Sequence, residues 1–291
     1  MTANESNRVW VTECPRDAMQ GINEFIPTHT KAGYLNQLLS VGFDVLDFGS
    51  FVSPKAIPQL KDTAEVLDLL DLTLSRTQLL AIVANERGAQ EACVHSQIKF
   101  IGFPFAISET FQKRNTNSSI SDSFQTVQKI IEHCNKSGKT PLLYISMAFG
   151  NPYGDAWSTQ IAMDWIGQLR NAGVKHFALA DTVGLASPEA IQSLTKSVVD
   201  EFNDCETGIH LHCHPGNWKT KVAAAFEAGC RRFDVAIRGF GGCPMAKDEL
   251  VGNLATEHLL EYVKNNNYYT QIEPEKLEAA IDASSSIFLV H

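Results

Sequence analysis

Eight short runs of apolar and β-branched residues, separated by longer amphipathic stretches, do most to limit what this 291-residue chain can fold into. The runs are Val9–Glu13, Val45–Phe48, Leu79–Val83, Phe100–Phe103, Leu142–Met147, His176–Ala180, Gly208–Cys213 and Arg232–Ala236. Between most of them apolar residues recur every three or four positions, as in Lys31–Val41 and Ile161–Ala172, which is the period of a helix with one buried face. Asn171-Ala172-Gly173 and Ala228-Gly229 read as helix stops ahead of the next strand. Strand and helix alternating about eight times predict the α/β class and a (β/α)8 TIM barrel rather than an open doubly wound sheet. No Pro/Gly/Ser-rich linker divides the chain. Residues 1–291 are therefore expected to form a single barrel domain, with a C-terminal helical segment at about 270–291. Reacting groups in such a barrel sit where the strands end.

Polar residues gather at those ends. The first run leads into Glu13-Cys14-Pro15-Arg16-Asp17-Ala18-Met19-Gln20. Asp17 there is an oxygen ligand for a cation, and Arg16 a clamp for a carboxylate or a developing enolate; the plainer reading is a surface ion pair. Asp47, at the end of the second run, either orients a ligand or Arg16 or serves a turn. Asp181-Thr182, after the sixth, offer a carboxylate and a hydroxyl, or cap a helix. The seventh run carries His210-Leu211-His212-Cys213-His214. Alternate residues of a strand share a face, so His212 and His214 can present two imidazole nitrogens to one divalent ion. His210 has the same parity but lies deeper, and reads as a core or supporting residue. Beyond the eighth run, Gly239-Phe240-Gly241-Gly242-Cys243-Pro244 predicts a loop with a thiol at its tip, suited to proton transfer if its acidity is tuned. Asn253, in Gly252-Asn253-Leu254-Ala255-Thr256-Glu257, is a helix cap or an amide-oxygen ligand.

Composition excludes several classes of partner. A net charge of −9 argues against a general nucleic-acid or anionic-membrane surface, so no nucleic acid and no membrane are expected as partners. No apolar run approaches membrane-spanning length, and the N-terminal residues show neither a secretory nor an Arg-rich transit pattern. Seven scattered cysteines suit a reducing compartment. Together these predict a cytoplasmic protein.

The ordered set Pro15-Arg16-Asp17-x-x-Gln20, Ser50-Phe51-Val52-Ser53-Pro54-Lys55, His212-Cys213-His214, Gly241-Gly242-Cys243-Pro244 and Gly252–Glu257 resembles the 3-hydroxy-3-methylglutaryl-CoA lyases. These belong to the metal-dependent lyase and Claisen-synthase barrels. The segment Ser108–Ile120 is similar too, and the likeness spans about residues 8–265. The resemblance implies cleavage of 3-hydroxy-3-methylglutaryl-CoA to acetoacetate and acetyl-CoA with Mg²⁺ or Mn²⁺, usually in leucine breakdown and often as a homodimer. It implies Asp17, His212, His214 and Asn253 as metal ligands and Arg16 as the cation facing the thioester oxygen. Gln20, Asp47, Asp181, Thr182 and Glu257 would be polar supports or substrate contacts, and Cys243 the loop thiol. Asp17 and a histidine are both candidates for the base.

An acyl-CoA substrate must bring its phosphates to an acidic protein, and local cations have to receive them. Lys55, Lys113 and Arg114 lie in motif-matched loops, with Asn115 and Asn117 as hydrogen-bond partners; the alternative is ordinary surface charge. The chain departs from the lyase pattern at Ala18-Met19, at Asp47 where the lyases have Glu, at Pro215–Lys219 directly after the histidines, and at Arg238. These departures leave room for a related 3-hydroxyacyl-CoA lyase, or for an aldolase or Claisen-type synthase with another acyl substrate.

Overall fold

The computed structural model describes residues 7–242 and 251–288. Its first half runs β1 (Trp10–Glu13), α1 (Pro15–Gln20), α2 (Thr28–Val41), β2 (Val45–Ser50), α3 (Thr63–Asp68), β3 (Gln78–Ile82), α4 (Glu86–Cys93), β4 (Ile98–Ala106), α5 (Glu109–Thr116) and α6 (Ile120–Ser137). The second half runs β5 (Thr140–Ser146), α7 (Thr159–Asn171), β6 (His176–Asp181), α8 (Pro188–Glu201), β7 (Glu206–Leu211), α9 (Trp218–Glu227), β8 (Arg232–Val235), α10 (Thr256–Asn265) and α11 (Pro274–Phe288). The eight strands pair in parallel, each with its neighbour in sequence, and β8 closes on β1. This is the (β/α)8 barrel that the alternation predicts.

Helix starts follow local chemistry. Asn85, Ser108, Ser119, Ser158 and Ser187 each accept a hydrogen bond from a backbone N–H of the first turn, and Ser119 and Asp122 form a reciprocal capping box. The larger core lies between the strands' outer faces and the helices. Inside the barrel, Val45, Leu80, Ile82, Phe100, Leu142, Tyr144 and Ala178 make a separate apolar plug. One step further along several strands the inward positions turn polar, at Asp47, His210 and Asp234. The plug is thus the floor under a polar chamber at the C-terminal mouth.

Several strands differ from expectation at their ends, and two of these differences shape the site. β4 is longer than Phe100–Phe103, because its pairing with β5 continues to Ala106↔Ser146. β7 is shorter at its C-terminal end: pairing with β6 stops at Asp181↔Leu211. From there the chain turns to a later segment. Leu254 N–H donates to the Leu211 carbonyl and Cys213 N–H to the Gly252 carbonyl, each at 2.9 Å, with an antiparallel bridge between His212 and Asn253.

The barrel seam is tied by a buried acid. Glu13 accepts hydrogen bonds from Ile237 N–H (2.8 Å) and Thr256 Oγ1 (2.6 Å), joining β1 to the turn after β8 and to α10. Burial pushes its carboxyl up to about 8. A carboxyl raised in the folded state stabilises fully below its unfolded value and loses that contribution as pH rises through the folded one. Thermal or urea unfolding from pH 5 to pH 9 should therefore show wild type losing stability on the order of a few kcal/mol relative to Glu13→Gln. Parallel pH profiles for the two proteins would contradict this account of the seam.

Candidate functional site

Arg16 and Asp17 stand on α1, one and a half turns that begin at Pro15 directly after β1. Proline suits that first position because its missing N–H has no helical partner there. The helix sets Arg16 and Gln20 one turn apart, and Arg16 Nη1 donates to Gln20 Oε1 at 2.9 Å and to Asp17 Oδ1 at 3.1 Å. Gln20 Nε2 in turn donates to Asp17 Oδ1 at 2.8 Å. Across the barrel mouth Arg16 Nη2 reaches Asp47 Oδ2 at 2.6 Å, and Nε lies 3.1–3.2 Å from both Asp47 oxygens. Asp47 is fully buried. Burial works against the Arg16 charge, but Asp47 and Asp17 more than restore it. Asp47 itself is pushed up to about 6 by burial, with the guanidinium pulling the other way. Burial would also raise Asp17; Arg16, His210, His212 and a hydrogen bond from Asn253 outweigh it and hold the carboxyl low.

Asn253 reaches the site because residues 252–254 pair with 211–213. Its Nδ2 donates to Asp17 Oδ2 and to the Phe240 carbonyl, both at 2.8 Å. The glycine loop is packed onto this contact: a Cβ on Gly241, whose φ is 97°, would stand 2.7 Å from Asn253 Nδ2 and 3.1 Å from the Asp17 carbonyl. His212 is buried beside them and bonds the backbone of Thr182. Burial, and then His210, push its imidazole down to about 4, so it is neutral near pH 7, the form that ligates metal. A carboxylate oxygen of Asp17 and ring nitrogens of His210 and His212 all lie within 4.8 Å of one another.

The structure separates the other predicted residues. His214 lies past the end of β7 and is exposed, with its backbone N–H donating to Asn217 Oδ1 at 2.8 Å. Strand pairing ends at Leu211 and the bridge to Asn253 at His212, so His212 is held buried while His214, expected on the same face, follows the bridge and is exposed. Asp181 is satisfied by Lys221 Nζ at 2.6 Å and Ala186 N–H at 3.0 Å. Thr182 Oγ1 accepts from Met147 N–H at 2.9 Å. Glu257 accepts from Arg238 N–H at 3.0 Å, at the start of α10. Lys113 pairs with Glu109 at 3.1 Å, Arg114 lies over the Tyr153 ring at 4.6 Å, and Lys55 is exposed. Asn117, at φ 54°, ends α5 in a left-handed cap. Cys243 lies outside the described residues.

A chamber of about 200 Å³ joins these groups. Arg16, Asp17, Gln20, Asn115, Thr182, His210 and His212 line its polar side, and Val52, Ile57, Ile82, Pro104 and Phe111 its apolar side. A wider depression of about 910 Å³ opens at the other end of the barrel, around Arg8, Trp10, Asp44 and Gln78, away from the chemistry. Sequence reasoning missed Lys221, whose ammonium is buried and also donates to the carbonyls of Gly184 and His212 at 3.0 Å. The signal was present: Trp218, Lys221, Val222 and Ala225 form one helical stripe, and a lysine within an apolar stripe asks for a buried partner. It also missed Asp234, 3.3 Å from His210 Nδ1, and Tyr144, whose buried hydroxyl has no partner among the described residues.

Comparison with known proteins agrees with the barrel fold. The HMGL-like family matches residues 8–283. A cytoplasmic 3-hydroxy-3-methylglutaryl-CoA lyase of Rattus norvegicus is 30% identical over 92% of this chain and 77% of its own. A 3-hydroxy-3-isohexenylglutaryl-CoA/hydroxymethylglutaryl-CoA lyase of Pseudomonas aeruginosa is 31% identical over 95% and 90%. The solved HMG-CoA lyase of Acinetobacter baumannii, in complex with coenzyme A and 3-methylmalate, superposes with a TM-score of 0.91 at 29% identity, covering 99% of this chain and 93% of that one. The family match over residues 8–283, nearly the whole length, places the chain in the HMGL-like family.

Proposed function

We propose that this protein is a divalent-metal-dependent carbon–carbon lyase that cleaves 3-hydroxy-3-methylglutaryl-CoA to acetoacetate and acetyl-CoA. The observation that carries the reading is a permanently charged guanidinium, Arg16, fixed by Asp47 and Gln20 at the wall of a chamber that also holds Asp17 and His212. The donor set fits a hard divalent ion such as Mg²⁺ or Mn²⁺: a carboxylate held ionised, a neutral imidazole, and the Asn253 amide. Asp17, His212 and Asn253 would hold it, with His214 at the rim as a further candidate. When bound, such an ion would act as a Lewis acid that lowers the pKa of a coordinated hydroxyl.

The chain's own groups then have defined tasks. Asp17 or His212 takes the proton from the substrate's tertiary hydroxyl. The C2–C3 bond breaks, its electrons leave with the acetyl-CoA fragment as an enolate, and the hydroxyl carbon becomes the ketone of acetoacetate. Arg16 faces the enolate oxygen; its double contact with Asp47 keeps it from reorienting as charge develops. Ile82, Pro104 and Phe111 exclude water from that charge pair and so strengthen it. Cys243 is assigned the return of a proton to the enolate carbon. Lys55, Lys113, Arg114, Asn115 and Asn117 are assigned to the coenzyme A moiety, in a cytoplasmic protein with a homodimer as its expected assembly.

A second reading, a longer 3-alkyl group on the same substrate class, is favoured by the apolar side of the chamber at Val52, Ile57 and Ile82. A panel of 3-alkyl-3-hydroxyglutaryl-CoA thioesters separates the two: higher kcat/KM for methyl supports the first reading, for a longer alkyl chain the second.

Arg16→Gln should keep its circular-dichroism spectrum and metal content while kcat for acetoacetate release falls about 10³-fold; a wild-type rate would reject the enolate role. Lys113→Ala with Arg114→Ala should raise KM for the thioester severalfold with kcat and metal content unchanged. An unchanged KM would reject those two residues as coenzyme A contacts.

A further inference from the structure

Helices α4 and α6 are clamped together on either side of a pair of thiols. At one end Glu86 accepts from Lys129 Nζ at 2.9 Å, and His133 Nε2 lies 3.4 Å from Glu86 Oε1 and 3.3 Å from Gln90 Nε2. At the other, just past α6, Lys139 Nζ donates to the His95 carbonyl at 2.7 Å. Between these contacts stand Cys93, the last residue of α4, and Cys134 on α6. Their thiols are hydrogen-bonded to each other. Cys134 is fully buried in the core, whereas Cys93 is half-buried and next to the exposed Val94.

The two thiols are not equivalent. The hydrogen bond from Cys134, a second from Ser137, and the charges of His133 and Lys139 pull the Cys93 thiol down to about 6 against the effect of burial. The bond to Cys93, and then burial, push the Cys134 thiol up, so Cys134 is the one that keeps its proton. Cys205, also half-buried, is the contrast: burial and then Asp204 push its thiol up. The thiolate is the nucleophilic form of cysteine, and a reachable thiolate beside a second thiol is the arrangement of a redox-responsive pair. Thiols already in hydrogen-bond contact lie close enough for a disulfide to close through side-chain rotation.

We propose that Cys93 and Cys134 form a reversible intramolecular disulfide in response to hydroperoxides, with Cys93 attacking and Cys134 resolving. The Cys93 sulfur attacks the terminal peroxide oxygen. An S–O bond forms, the O–O bond breaks, and the leaving oxygen takes up the Cys93 proton, departing as an alcohol, or as water from hydrogen peroxide. The Cys134 sulfur then attacks the Cys93 sulfenic acid. The S–S bond forms, the S–O bond breaks, and the hydroxyl leaves with the Cys134 proton as water. The two thiols lose two electrons and the peroxide gains them. In a reducing compartment such a link is transient. It ties two helices of the outer layer and is independent of the reaction assigned to the chamber.

Full-length protein treated with hydrogen peroxide and digested without reduction tests this by peptide mass spectrometry. Wild type should yield a peptide pair joined through Cys93 and Cys134, about 2 Da lighter than the separate thiol peptides and released by dithiothreitol. In Cys134→Ser, Cys93 should be trapped by dimedone as the sulfenic acid, with no link. Before oxidation, iodoacetamide at pH 7 should label Cys93 about tenfold faster than Cys205. Cys93 that stays reduced, that passes to sulfinic acid without a link, or that is labelled no faster than Cys205 overturns the proposal. If Cys134→Ser fails to fold, the wild-type peptide map and labelling rates decide alone.

Discussion

The buried contact between Arg16 and Asp47 is the interaction on which the rest of the site depends. Taking a guanidinium out of water is costly, and the cost is met only where a carboxylate meets it with good geometry. Asp47 does so from β2, with both oxygens within hydrogen-bond reach of Arg16 Nε and one of them 2.6 Å from Nη2. Two neighbouring strand ends are thereby coupled. Removing either partner would leave an uncompensated charge inside the barrel mouth. With the pair intact, a fixed positive group stands beside a chamber whose other wall is apolar.

The same economy recurs one layer out. Asp181, at the end of β6, would be a buried lone carboxylate without Lys221 from α9. The ammonium binds the Gly184 and His212 carbonyls as well, so it fixes the loop after β6 relative to the histidine segment. Glu13 does comparable work at the seam. Each of these polar groups is held by partners from a different βα unit. The barrel therefore positions the site through its closure, and a change in one unit is felt in another.

The fold was largely legible in the sequence because each strand and helix carries its own period. The eight apolar runs coincide with the eight strands, and the strand mouths carried Arg16, Asp17, Asp47 and His212 as expected. What was not legible depended on contacts far apart in the chain. The end of β7 is set by pairing with residues 252–254, which no local pattern announces. Two histidines that look equivalent in sequence, His212 and His214, consequently part company: His212 is buried at the bridge to Asn253 and His214, beyond that bridge, is exposed. His210, with the right parity but apparently too deep, is brought beside Asp17. The partner of Asp181 could have been sought among lysines on apolar helix stripes. That it is Lys221, rather than Lys31 on α2, follows only from the fold, where Lys31 pairs with Asp62.

The central claim is that the Arg16–Asp17–His212 chamber splits a 3-hydroxyacyl-CoA between C2 and C3 with a divalent ion. Product analysis on purified wild-type protein with 3-hydroxy-3-methylglutaryl-CoA tests it most directly. The account predicts acetoacetate and acetyl-CoA in equal amounts, abolished by chelation and restored by Mg²⁺ or Mn²⁺. Absence of both products with metal present, or turnover indifferent to chelation, would contradict it.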